Sequence, residues 1–432
     1  MVSDSERLAI LYRQLSHHLE DGIIPFWLTR ARDQEYGGFL TNFDGEGRTL
    51  ETPDKYLNTQ ARLIWWFSAL SRNRPEYTAA RDLASEGVDF LVKHFWDDRR
   101  GGWYWKVQRD GSLLEDAKLV YGQSFAIYAL AEYYVATRDP RGLQYAEATF
   151  DLLEKHCVDS EHGGYFENLK GDWTPSPAGF AGGDRKSLDT HMHLLESFTT
   201  LYTASGSENH RSRLLDVVNL IVKYMVDPDT GAGRNQFDAE FHPVPAIAIR
   251  HTWNAERDGD APPTPIDTTS YGHNVELAWL MRRALDTTGV DHAPYQSVMY
   301  QLVDHAAQHG VDWQYGGIYR DGLAHGEAVL KDKEFWQHAE SLVGFLDGFV
   351  AFGEPHFLDA FEQVWQFVYG HMINDAGEWH TLLDRKGNIL DARLGNPWKV
   401  AYHTGRAALE CVTRLQYLRA PEPQPADTVQ LG

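Results

Sequence analysis

Cysteine is almost absent: only Cys157 and Cys411 occur in 432 residues. Two such distant cysteines build neither a disulfide framework nor a zinc motif, so a reducing, cytoplasmic setting is the expectation. Long apolar runs are missing as well, and no stretch is long enough to span a bilayer. The start of the chain, Met1 to Arg7, leads into an amphipathic segment without the apolar core of a signal peptide. Positive charge is the third shortage. Lys+Arg 40 against Asp+Glu 62 leaves a net charge of −22. That surface repels phosphate backbones and anionic lipid, which argues against nucleic acid or a membrane as partner and fits a neutral small molecule.

Cofactor and metal signatures are equally scarce. Gly231-Ala-Gly233-Arg234 lacks the rest of a dinucleotide fingerprint and reads as a turn. Asp97-Asp98 lacks the spaced carboxylates of a magnesium–diphosphate site. His191 and His193 are two apart, so on a helix they point about 200° away from each other and only one can face a cavity. His273 and Glu276 form His-x-x-Glu, whereas zinc proteases need two histidines four apart. The expectation is no metal and no cofactor.

What the chain has in quantity is aromatics, with Trp 14, Tyr 21 and Phe 20, and a repeat marked by glycine. Tyr36-Gly37-Gly38-Phe39 is followed by Arg100-Gly101-Gly102-Trp103, His162-Gly163-Gly164-Tyr165, Thr230-Gly231-Ala232-Gly233, Tyr315-Gly316-Gly317-Ile318 and Ala376-Gly377-Glu378-Trp379. An acidic residue precedes most of them: Asp33, Asp97, Asp159, Asp227, Asp312 and Asp375. Short β-prone runs follow, so each unit is expected to carry a β-hairpin.

Between the hairpins the pattern is helical. An amphipathic helix leads into each hairpin, as over 77–94, and a strongly apolar one follows, beginning near Asn58, Tyr121, Thr190, Gly272, Phe335 and Tyr402. A helix that is apolar on most faces is buried. Six buried helices inside six amphipathic ones predict an all-α fold, a closed (α/α)6 barrel with short hairpins between helices, in preference to an open solenoid. Residues 1–420 are read as one catalytic domain and 421–432 as a disordered, Pro-rich tail.

Closure brings the polar starts of the inner helices to one end. The candidates are Arg62, Tyr121 with Gln123, His191 with His193, His273 with Glu276, Trp336 with Glu340, and His403 with Arg406. Histidine both takes and gives protons near neutrality. Two such bases flanking a carbon beside a carbonyl, with cationic donors for the oxyanion, suit proton removal and return at that carbon. Carboxylate pairs such as Glu276 with Glu340 or Asp189 leave glycoside hydrolysis open.

Six segments carry a specific resemblance: 58–62, Tyr121 to Tyr128, Lys186 to Glu196, Ser270 to Glu276, Trp336 to Phe345, and Trp398 to Arg406. In these the chain resembles the cellobiose 2-epimerase-like members of the N-acylglucosamine 2-epimerase superfamily, from Phe26 to about Leu418. The resemblance implies an (α/α)6 barrel, a small-molecule sugar substrate, no cofactor, and a monomer or weak homodimer. It implies His273 and His403 as the acid/base pair, with Arg62 and His193 holding the sugar oxygens. Glu276 would assist ring opening or orient the neighbouring imidazole, and Trp336 and Trp398 would stack on the sugar. Tyr121, Asp189, His338 and Glu340 complete the expected substrate contacts. The reaction implied is C2 epimerisation of a reducing-end aldose through an enediolate, with aldose–ketose isomerisation as the alternative.

The chain departs from the family pattern at Asp189, at Phe335-Trp336-Gln337-His338, at 400–404, and in a long Pro-rich insert over 241–269. The insert immediately precedes the helix of His273. It is expected to pack over the barrel mouth and shape the space beyond the reacting sugar.

Overall fold

The computed structural model describes residues 4–258 and 262–419. The tail over 421–432 and the end of the charged turn over 256–260 lie outside the described residues. Helix α1 (Asp4–His18) passes through Leu19–Ile23 into α2 (Ile24–Arg30). Then inner and outer helices alternate: α3 (Leu57–Asn73), α4 (Thr78–Phe95), α5 (Val120–Thr137), α6 (Pro140–His156), α7 (Leu188–Ser205) and α8 (Glu208–Leu220). A short α9 (Trp253–Asp258) lies in the insert. The series resumes with α10 (Tyr271–Thr288), α11 (Gln296–His305), α12 (Phe335–Phe352), α13 (Pro355–Phe367) and α14 (Ala401–Arg419).

The inner helices α3, α5, α7, α10, α12 and α14 each pack on the next, and α14 returns to α3, so the ring closes. Closure follows from sequence: α5 and α12 are buried over nearly four turns and have no polar face to leave in water. Glycines with positive φ stop α7, α10 and α12 at Gly206, Gly289 and Gly353. Among the described residues no helix is long and apolar enough to cross a membrane.

The expected hairpins take a more connected form. Each Gly-Gly turn closes through a single bridge, such as Trp96 with Trp103. The strand pairing comes after it and joins consecutive units. The strand leading into each inner helix pairs antiparallel with the next unit: Asp54–Tyr56 with Lys106–Gln108, Lys118–Leu119 with Asn168–Leu169, and Lys186–Ser187 with Gln236–Phe237. Thr268–Ser270 with Asp321–Leu323 and Lys333–Glu334 with Leu382–Leu383 continue the series. A bridge from Phe43 to Gly395 links the last unit to the first. A broken ring of strands thus crowns the inner-helix N-termini.

Two buried devices fix the turns to their helices, the first in all six units and the second in five. The fourth residue of each inner helix holds the residue after the turn. Gln60 accepts from Phe39 N at 2.9 Å, Gln123 from Trp103 N at 3.0 Å, His191 from Tyr165 N at 3.2 Å, Asn274 from Gly233 N at 2.9 Å and His338 from Ile318 N at 3.1 Å. In the last unit Thr404 acts through Glu378, whose carboxylate accepts from Trp379 N. Two residues before the helix, a buried lysine pairs with the turn's acid: Lys55 with Asp33, Lys118 with Asp97, Lys186 with Asp159, Lys333 with Asp312, and Lys399 with Glu378. The sixth turn departs from expectation. Asn374, not Asp375, takes the Asp position and accepts from Ala376 N, because this turn is one residue shorter.

The Asp97 and Lys118 side chains are 3% and 0% exposed. Removing one partner strands a buried charge, so Asp97→Ala is expected to cost about 3–5 kcal/mol in urea unfolding. Adding Lys118→Met should recover part of that loss, and a double-mutant cycle with no coupling would refute the pairing as a structural lock.

Candidate active site

The inner-helix register decides which side chains reach the axis. Counting from each helix start, the second residues include Tyr121, Asp189 and Trp336, and the third include His273 and His403. The sixth residues are Arg62, Phe125, His193, Glu276, Glu340 and Arg406. Positions two and six share a face at i, i+4, position three lies beside them, and position four points away. His338 is a fourth residue. Sequence placed it on the substrate, whereas here it does not line the cavity: its Nδ1–H donates to Glu334 O at 2.8 Å while Nε2 holds the turn. Burial lowers its pKa to about 3, which keeps it neutral in that role. Gln123 and His191 are likewise turn anchors, and His193 is the histidine of its pair that faces the cavity.

At the axis sits a buried network centred on Arg406. Its Nη2 donates to Glu276 Oε1 at 2.7 Å and to Glu340 Oε1 at 2.8 Å. Its Nη1 donates to Tyr402 Oη at 2.6 Å and to Glu196. Tyr402 donates to Glu196, and the guanidinium lies 4.1 Å from the Tyr402 ring centroid. Three carboxylates around one guanidinium exceed its charge, so a proton is retained. Glu340 accepts from Arg406, from His403 Nδ1 at 2.7 Å and from Trp279 Nε1 at 3.3 Å, which suits the ionised form. Glu276 has Arg406 as its donor, and burial beside Glu340 raises its pKa to about 8. Burial raises Glu340 as well, so the pair retains a proton between them, and Glu276 is the member that lines the cavity.

Glu340 lies behind this wall rather than on it. Sequence placed it on the substrate, whereas here it does not line the cavity and accepts from His403 Nδ1 instead. The donated Nδ1–H fixes the tautomer and leaves His403 Nε2 as the lone-pair nitrogen. Burial, reinforced by Arg62 and Arg406, lowers the His403 pKa well below its ordinary value. His273 is also lowered by burial, with Asp189 opposing. Trp336 touches both rings, its centroid 4.7 Å from that of His273 and 5.9 Å from that of His403. Two neutral imidazoles thus share one aromatic wall.

His193 is the opposite case. Burial alone would lower its pKa, but Asp189 Oδ1 at 3.3 Å from Nε2 and Glu196 Oε2 at 3.0 Å from Nδ1 raise it to about 9. It is an imidazolium at neutrality. Arg62 adds a second cation, donating to Trp398 O at 3.1 Å and Tyr121 Oη at 2.8 Å and lying over Phe125. Asp189 is half-buried, 3.6 Å from His273 Nε2. The cavity they line is about 210 Å³ and is also lined by Trp336, Trp398, Asp321 and much of the insert.

Glu276, Glu340 and His403 bring possible metal-ligand atoms within 4.8 Å of one another. The Arg406 guanidinium already lies against both carboxylates, so a cation there would meet a positive charge. The same guanidinium binds both Glu276 and Glu340, which disfavours a glycosidic bond lying between those two carboxylates.

Sequence reasoning missed Glu196, Tyr402 as a network member, Asp321, and the Trp253–Glu334 contact. The register of the repeat was signal enough for Glu196, which lies three residues after His193 on the same helix face.

Chemical competence and ancestry coincide. The family model for N-acylglucosamine 2-epimerase (GlcNAc 2-epimerase) matches residues 37–407. A cellobiose 2-epimerase of Bacteroides fragilis is 30% identical over 411 residues, 93% of this chain and 98% of that protein. The structure of a cellobiose 2-epimerase from Spirochaeta thermophila superposes with a TM-score of 0.84 at 28% identity, covering 96% and 98% of the two chains. A D-mannose isomerase of Marinomonas mediterranea is 24% identical over 416 residues, 93% of this chain and 97% of that one.

The His193 ring should titrate near pH 9 by NMR, and Glu196→Gln should lower that value. Because folding raises this pKa, the stabilisation it contributes is complete below 6.5 and is lost as pH rises through about 9. A His193 that titrates at or below its ordinary value would refute the imidazolium assignment.

Proposed function

The chain belongs to the N-acylglucosamine 2-epimerase family and is a carbohydrate epimerase, and we propose that it inverts C2 of a reducing-end aldohexose with His273 and His403 as the two bases. The observation that carries this reading is the pair of neutral imidazoles on one Trp336 wall, facing an imidazolium and a guanidinium. Relatives named cellobiose 2-epimerase and D-mannose isomerase support a reducing-end glucose or mannose unit as substrate.

A balanced sequence uses only groups at the cavity. In ring opening, His273 takes the proton of the anomeric hydroxyl while Glu276 gives its proton to the ring oxygen. His403 Nε2 then removes the C2 proton, and the enediolate oxygens lie against Arg62 and His193. His273 returns its proton to the opposite face of C2. On closure the ring hydroxyl restores Glu276 and His403 reprotonates the anomeric oxygen. Glu340, through Nδ1, stabilises the His403 imidazolium while it exists. Return of a proton to C1 instead would give a ketose, the isomerase reaction.

Glucose or mannose incubated in deuterated water should gain deuterium at C2 of the epimer, because the proton delivered by His273 has exchanged with solvent. His273→Ala and His403→Ala should each lower kcat by roughly 10²–10⁴-fold. Epimer formed without label would rule out the proton-transfer route, and chromatography resolving fructose would separate epimerase from isomerase.

The pH profile follows from the same groups. His273 and His403 are bases lowered by burial, so the acid limb of kcat/KM should lie below pH 6.5. Glu276 must hold a proton at about 8 and His193 at about 9, so activity should fall as pH rises through that range. An alkaline limb absent up to pH 10 would remove both from their assigned roles.

A further inference from the structure

The insert over 241–269 is built into the cavity wall. Ile247 N donates to Gln236 Oε1 at 3.0 Å and Gln236 Nε2 to Ile247 O at 2.8 Å, and Thr264 N closes on Ala246 O at 2.8 Å. Across the mouth, Arg250 and His251 reach Glu115 at 3.3 and 3.2 Å. On the third side Trp253 Nε1 and Arg257 Nη1 both donate to the carboxylate of Glu334, the latter at 2.8 Å. Glu334 is fully buried. Its carboxylate is matched by donors from the insert, so withdrawing the insert would strand a buried charge at the cavity edge.

The clasp sets Trp253 against Trp398. Their ring centroids are 6.3 Å apart at an interplanar angle of 45°, which is direct aromatic contact with no space for a sugar ring between. Trp105 and Tyr121 flank Trp398 at 6.0 and 6.3 Å, and Trp398 is left only 5% exposed. The reacting end is open by comparison, since Trp336, His273 and Asp189 retain accessible surface.

We propose that Trp253, clasped by Glu334, occupies the place beside Trp398 where a second sugar unit would lie, and so restricts the enzyme to free monosaccharide aldohexoses. This rests on the epimerase reading of the site and names its substrate class. The selection is steric: the indole excludes a β-1,4-linked unit and leaves the proton-transfer groups untouched.

The test compares glucose and mannose with cellobiose, and the unreactive alditols sorbitol and cellobiitol by calorimetry. The wild type should favour the monosaccharides in kcat/KM and bind sorbitol but not cellobiitol. Trp253→Ala should raise the cellobiose-to-glucose ratio of kcat/KM roughly tenfold or more, the scale on which a pocket discriminates by size, and admit cellobiitol. Trp253→Leu, smaller than indole but still apolar, gives the same comparison where the alanine variant does not fold. A wild type that prefers cellobiose, or a folded variant with an unchanged ratio, overturns the proposal. Absence of turnover on every sugar would count against the epimerase reading, and alditol binding would then still decide the role of Trp253.

Discussion

Everything at the barrel axis depends on Arg406. One buried guanidinium, its pKa raised well above its ordinary value by the surrounding carboxylates against the opposing effect of burial, is shared among Glu196, Glu276 and Glu340. Each glutamate then does something different. Glu196 is held ionised near pKa 2 and helps charge His193. Glu340 orients His403. Glu276 lines the cavity. Arg406 and the His193 imidazolium together are one cation short of three acids, and the proton that makes up the difference stays on the Glu276–Glu340 pair.

The repeat makes this possible by dividing labour along each inner helix. The residue at position four is committed to the turn, and those at positions two, three and six are free for the axis. Buried lysine–carboxylate pairs below the helix starts hold five of the six turns at one level, so residues from separate helices meet with little freedom of approach. The fourth unit lacks the lysine and has Thr269 there, bonded with Asn274, while Arg234 pairs with Asp227. This is the unit that carries His273 and the insert. Its acid is therefore paired from within its own turn and not from the helix start, and the insert adds ties to Gln236, Glu115 and Glu334.

The protonation states also explain why the histidines differ although all are buried. His403 meets cations, Arg62 and Arg406, and loses affinity for a proton. His193 meets carboxylates on both nitrogens and gains it. His338 meets backbone and Lys333 and stays neutral. Burial lowers all three, and the balance of the surrounding charges decides the outcome.

Sequence alone determined the number of units, the inner-helix starts to within two residues, the closed ring, and the gathering of Arg62, His193, His273, Glu276, Trp336 and His403 at one end. Those follow from glycine punctuation and apolar periodicity, which are local properties of the chain. The partition within that set was decided only by tertiary structure. His338 stands among the substrate contacts expected from the family resemblance, and its helix register turns it away from the cavity. Glu276 and Glu340 both read as cavity carboxylates, and the fold puts Glu276 on the lining and Glu340 behind it against His403. Trp398 reads as a sugar platform, and a tryptophan 145 residues earlier in the chain covers it. Charge sharing and occlusion depend on which remote side chains lie within a few ångströms, and no local pattern in a sequence encodes that.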